Sequence, residues 1–222
     1  MLLPLYDDNP NQQRPLVTVT LILINVLVFL YEISLPDQEL VELVYAAGFL
    51  PARLIGQGGP PGVELLPLPF TFVSHMFMHG GWMHLIGNMW FLWIFGDNVE
   101  DRLGHMRFLG IYLAWGWVAA AAQFLFGGDP TIPMVGASGA IAGVLGAYAV
   151  LYPTAKVNVL LFIFVIITRI KVPAMVMLGL WFAYQFMSLH EAGVAWWAHI
   201  GGFVAGLCVA IFLKISGTEA AS

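Results

Sequence analysis

Six apolar stretches, residues 17–33, 83–99, 108–126, 135–152, 172–189 and 195–213, each approach the ~20 residues a helix needs to cross a hydrocarbon core. No other feature limits the fold as severely. The chain of 222 residues is 60% hydrophobic and 9% charged, whereas soluble domains carry about 25% charged residues. A lipid-embedded protein follows, and no polar stretch is long enough for a separate soluble domain. In hydrocarbon every backbone polar group must find its partner within the protein, and a helix satisfies that requirement locally. The expected fold class is all-α: a polytopic bundle of six transmembrane helices with a long outer loop between spans one and two. The expected division is a short tail (1–16), a membrane domain (17–214) and a second short tail (215–222).

A seventh apolar run, 157–167, is too short to cross and is flanked by Pro153, Lys156, Arg169 and Lys171. It is expected to be an interfacial or re-entrant connection. The assignment matters, because a crossing here would reverse every later span. Under the six-span arrangement Arg14, Arg102, Arg107, Lys156, Arg169, Lys171 and Lys214 share one side and only Arg53 lies on the other. Basic residues collect on the cytoplasmic side, so both termini are expected to be cytoplasmic. No small-residue cleavage site follows the first run, which reads as a retained span rather than a signal peptide. No transit-type leader is evident, which favours a bacterial plasma membrane. Cys208 lies within a span and is expected only to pack.

The connection 34–82 is rich in proline and glycine, yet it also holds amphipathic sequence such as Glu39-Leu40-Val41-Glu42-Leu43-Val44. Short helices against the outer leaflet are expected, with a disordered tether as the alternative. The block from Gly96 to Gly104 reads as a solvated cytoplasmic corner with a Glu–Arg contact. Asn25 and Gln123 read as groups that bond between helices.

Spans two, four and six run in one direction. His84 and Asn88 lie near the start of the second, Ser138 near the start of the fourth and His199 near the start of the sixth. All four therefore sit about one turn below the same surface. Glycines supply lateral closeness: Gly139, Gly143 and Gly146 follow Ser138, and Gly202 and Gly206 follow His199, in small-xxx-small spacing that lets membrane helices touch backbone to backbone. If those faces pair, Ser138 and His199 differ in height by about 3 Å at ~1.5 Å per residue. A histidine in hydrocarbon is costly and calls for a purpose; beside a serine hydroxyl it becomes the base of a nucleophile. His84 and Asn88 share a helix face and could direct hydrogen-bond donors at an oxyanion, or bond a neighbouring helix. His75, His79 and His84 have no acidic ligand nearby, so no metal and no cofactor is expected.

Three motifs carry a resemblance: His79-Gly80-Gly81-Trp82-Met83-His84-Leu85-Ile86-Gly87-Asn88, then Gly136-Ala137-Ser138-Gly139, then Ala198-His199-Ile200-Gly201-Gly202. With these in order on alternate spans, the chain resembles the rhomboid intramembrane serine proteases from about residue 67 to 213. That resemblance implies Ser138 as nucleophile and His199 as general base in a dyad with no acidic third member. It also implies an oxyanion hole from His84, Asn88 and the Ser138 backbone N–H, and gating of the site by span five and the overlying loop. Expected partners are the lipid bilayer and transmembrane protein substrates, not nucleic acid. Two positions depart from the family pattern. A common Trp-Arg pair in the outer loop reads Phe70-Thr71 here, and a tyrosine that would stack on the histidine is replaced by Ala142. The second departure leaves the group that orients His199 unassigned. The competing readings are a catalytically inactive rhomboid-like scaffold that binds single-pass proteins, and a small transporter, which should show a repeat between halves.

Overall fold

A computed structural model describes residues 2–163, 166–187 and 194–217. The last two residues of the apolar run 172–189, and residues 218–222 of the expected C-terminal tail, lie outside the described residues. Helices occupy the long apolar runs: α1 (Leu16–Glu32), α4 (Trp82–Leu103), α5 (His105–Phe126), α6 (Ser138–Leu151), α7 (Ala174–Met187) and α8 (Trp196–Ser216). By length and composition α5 and α8 could each cross a membrane, while α1, α6 and α7 are shorter apolar helices. Large apolar side chains cover the outside as well as the inside. Leu27, Leu125, Leu180 and Phe212 are all about two-thirds exposed, the pattern of a helix bundle solvated by lipid rather than water.

The connection between α1 and α4 folds into α2 (Asp37–Ala47), α3 (Leu68–Ser74) and the 3-10 turns Pro51–Ile55 and His75–Phe77. Three of its prolines sit where a missing N–H costs nothing, at or just before a first turn: Pro36 before α2, Pro51 opening the first 3-10 turn, Pro69 in the first turn of α3.

The all-α expectation is corrected by a three-stranded antiparallel sheet in the order β1 (Leu2–Asp7), β2 (Lys156–Ile163), β3 (Ile166–Pro173). The run expected as an interfacial or re-entrant connection forms the first strand of a hairpin. Its alternation explains this: Val157 and Val159 are buried against the bundle while Asn158 and Leu160 are only partly covered, a period of two that a β-branched segment adopts readily. Lys156 pairs with Pro173, and the Ala174 N–H donates to the Ala155 carbonyl at 2.8 Å. The hairpin therefore returns the chain to the level it left, so α7 sets out from the end of the bundle where α6 stopped.

The N-terminal residues are not a loose tail. Besides pairing with β2, β1 accepts the Trp90 indole N–H at the Pro4 carbonyl (2.8 Å), and the Tyr148 hydroxyl donates to the Asp7 carboxylate. The expected solvated corner at the end of α4 is also corrected. Glu100 is 1% exposed; its carboxylate accepts the Val17 and Thr18 N–H groups at 2.8 and 2.7 Å and contacts His105 Nδ1 at 2.6 Å. Pro15 brings no capping side chain to α1, so a carboxylate from α4 caps α1 instead. Asn25 does not bond between helices: its amide donates to the Leu21 carbonyl of its own helix at 2.8 Å.

Helix α6 forms the centre, buried at every position from Gly139 to Ala149. Against α8 the two backbones touch. A Cβ on Gly202 would overlap the Gly139 carbonyl, and one on Gly206 the Gly143 carbonyl. This seam sets the distance between the helices that carry Ser138 and His199.

Candidate active site

Ser138 is the first residue of α6, and the first helical bond runs from the Ile141 N–H to the Ala137 carbonyl. The N–H groups of Ser138, Gly139 and Ala140 are therefore left over at the positive end of the helix. His199 lies in the first turn of α8, whose N-terminal Ala198 N–H donates to Gln123 Oε1 of α5 at 3.3 Å. Gln123 thus bonds between helices, as its position in the sequence implied. Across the glycine seam, Ser138 Oγ lies 2.8 Å from His199 Nε2.

The other ring nitrogen, His199 Nδ1, lies 2.6 Å from Gln185 Oε1 of α7. Gln185 Nε2 donates to the Trp181 carbonyl at 3.1 Å. A carbonyl can only accept, so this bond fixes the amide with its oxygen toward the imidazole. Nδ1 must then carry the proton, and Nε2 is left with its lone pair facing the Ser138 hydroxyl. The Trp181 and Trp196 rings flank the imidazole at 5.9 and 6.2 Å between centroids. Sequence reasoning missed Gln185. The available signal was an amide inside the otherwise apolar α7, where an unpaired polar group is costly.

His84 Nδ1 accepts the Gly80 N–H at 3.4 Å, which places the ring proton on Nε2. That edge lies over Gly136, where a Cβ would come within 2.7 Å of Nε2 and within 3.7 Å of Ser138 Oγ. Gly136 also has φ +122°, a left-handed value that disfavours a side chain, and its N–H is held by the His75 carbonyl at 2.8 Å. One turn along α4, Asn88 is 8% exposed and its Nδ2 finds no partner among the described residues. A buried amide donor without an acceptor suits a site that supplies the acceptor later. All four residues line one cavity of about 930 Å³, together with Gly87, Gly139 and Gln185.

Two further histidines of this region lie behind the cavity lining: His79 meets His84 edge-on at 5.0 Å, and His75 lies 5.9 Å from Phe49. Among the described residues no three His, Cys, Asp or Glu side chains form a set that could hold a metal. Trp181 and Phe182 of α7 pack on Phe203 of α8, and Trp181 also meets Phe91 of α4.

An alcohol, an imidazole with its acceptor nitrogen toward that alcohol, and free donors around one cavity are the components of nucleophilic acyl transfer. The Rhomboid domain family model matches residues 69–216. The chain is 35% identical over 203 residues to Rhomboid protease GluP of Bacillus subtilis, covering 91% of this chain and 36% of that protein. It is 31% identical to Rhomboid protein 1, mitochondrial, of Saccharomyces cerevisiae over 62% of this chain and 40% of that one. Against human Presenilin-associated rhomboid-like protein, mitochondrial, it is 29% identical over 66% of this chain and 38% of the relative. The chain thus spans well under half the length of these curated relatives. Its match to the family model runs from the first turn of α3 to the end of α8 and takes in His84, Asn88, Ser138, Gln185 and His199, and on that match the chain belongs to the rhomboid family.

Proposed function

We propose that the protein is an intramembrane serine endopeptidase that hydrolyses a peptide bond in or beside a transmembrane segment of another membrane protein. The observation that carries the reading is the 2.8 Å contact between Ser138 Oγ and His199 Nε2 at the edge of the cavity. His199 Nε2 takes the Ser138 proton as Oγ attacks the scissile carbonyl. The tetrahedral oxyanion accepts hydrogen bonds from Asn88 Nδ2, His84 Nε2 and the Ser138 N–H. Collapse breaks the C–N bond, with the proton passing from Nε2 to the leaving amine. Water, deprotonated by the same nitrogen, then releases the acyl group from Ser138. A helical substrate hides its amides in its own hydrogen bonds, so segments with small or helix-breaking residues near the cavity are favoured.

In this reading the six long apolar helices cross a bacterial plasma membrane, with both termini cytoplasmic and residues 17–214 forming the membrane domain. The returning hairpin supports the parity on which that arrangement depends, since its two ends pair. Ser138→Ala tests the reading. The parent protein, purified in detergent, should take up a serine-reactive fluorophosphonate and cleave a single-pass substrate, and the variant should do neither while melting at the same temperature. Parental cleavage by the variant would refute the nucleophile, and a parent that neither labels nor cleaves would leave the scaffold reading in its place.

A further inference from the structure

We infer that Gln185 is the positioning residue of the dyad: from α7 it holds His199 in the one tautomer and orientation that can deprotonate Ser138. The inference rests on the protease reading above and answers a question that reading leaves open. An imidazole with no partner at Nδ1 can turn about its Cβ–Cγ bond, and its proton can sit on either nitrogen. With the proton on Nε2 it cannot serve as base toward Ser138. Gln185 removes both freedoms. Its oxygen accepts from Nδ1 at 2.6 Å, and its own amide is locked by the Trp181 carbonyl at 3.1 Å. The side chain is 4% exposed, so water does not compete readily for the same proton. The first two bonds of the relay have their direction set by atoms that act only one way, the Trp181 carbonyl and the Gln185 oxygen, and in the neutral imidazole the proton on Nδ1 then leaves Nε2 to accept from Ser138.

The three groups stand on three helices. Ser138 and His199 are joined by the backbone seam of α6 and α8, whereas Gln185 is carried by α7, which packs on the bundle through side chains: Ala174 and Leu178, buried in the core, and the rings of Trp181 and Phe182. The orientation of the base therefore depends on where α7 sits, and a bound segment that moved α7 would alter His199 without touching it.

The test is a pair of near-isosteric variants, Gln185→Met and Gln185→Glu, on the full chain in detergent. Methionine fills the same space without a comparable acceptor; glutamate keeps the accepting oxygen. The Met variant should label with a fluorophosphonate about tenfold to a hundredfold more slowly, a part of the ~10²–10⁴ that a positioned base supplies. It should cleave with a reduced kcat at unchanged KM. The Glu variant should label at least tenfold faster than the Met variant. A Met variant that labels at the parental rate overturns the inference. Equal losses in the Met and Glu variants, measured per folded molecule, also overturn it, since they would mark a packing role. A parent that does not label at all defeats the protease reading first, and this inference with it.

Discussion

Gly206→Ala isolates the effect of the helix seam on chemistry, because Gly206 lies two turns along α8 from His199 and does not line the cavity. A Cβ there would stand 2.7 Å from the Gly143 carbonyl carbon and 2.9 Å from the Ala147 nitrogen. Non-bonded carbons pack at about 3.5–4.0 Å, so α8 must withdraw from α6 by on the order of 1 Å. A comparable displacement at the first turn would lengthen the 2.8 Å contact between Ser138 and His199 to roughly 3.5 Å or more, outside hydrogen-bond range. A misplacement of that size costs about 10² in rate, and overpacking of this kind costs about 1–3 kcal/mol of stability. The assay is the second-order rate of fluorophosphonate labelling, measured beside thermal unfolding in the same detergent. Gly110→Ala on α5 is the control: nothing lies within 4 Å of the added methyl, so labelling should be unchanged. If Gly206→Ala labels at the parental rate, the seam does not set the distance between the two side chains. If Gly110→Ala loses as much, the loss has nothing to do with the seam.

Asn88→Ala should lower the rate of cleavage by about 10²–10³ while leaving the unfolding midpoint within experimental error. Asn88 Nδ2 has no partner to lose among the described residues, so a drop in stability matching the drop in rate would contradict the oxyanion role. Glu100→Ala should act in the opposite sense. It strips the cap from the Val17 and Thr18 N–H groups and should destabilise the protein by about 1–3 kcal/mol in a denaturant titration. Labelling of the remaining folded fraction should proceed at the parental rate, and a change in stability below about 0.5 kcal/mol would refute the capping account.

The long helices were legible in the sequence because each is a local pattern: an apolar run of sufficient length, ended by proline, glycine or charge. The heights of Ser138 and His199 followed from counting along those runs, and glycine spacing pointed to the face where α6 and α8 meet. What escaped depends on partners far away in the chain. The strand β1, Leu-Leu-Pro-Leu-Tyr-Asp, holds a proline and lies beside polar residues, and only its pairing with Val157–Leu161 makes it a strand. Such a contact has no local signature. The hairpin itself is legible in part, since 157–163 is rich in β-branched and apolar residues, but a run too short to cross a membrane does not by itself distinguish a strand from a short helix. Glu100 looked like part of a charged corner because nothing near it in sequence reveals that the N-terminus of α1 packs against it. Gln185 was hidden differently, as a single polar residue within a run judged by its average.

In the mechanism proposed above, the use of an amide rather than a carboxylate as third group follows from where the site lies. A carboxylate buried beside Trp181 would carry a desolvation cost of several kcal/mol that a single neutral imidazole repays poorly. A neutral amide gives the same tautomeric selection at Nδ1 and avoids that cost. What it forgoes is the stabilisation a negative charge would give the imidazolium as Ser138 attacks. The developing charge pair must then be supported from its other end, where the negative oxygen forms. Donors are at hand for that role: the N–H groups at the start of α6, Asn88 Nδ2, which has no partner among the described residues, and His84 with its proton on the nitrogen that overlies Gly136. Removing an oxyanion donor should accordingly cost more than removing Gln185, the reverse of the order expected where a buried carboxylate backs the histidine.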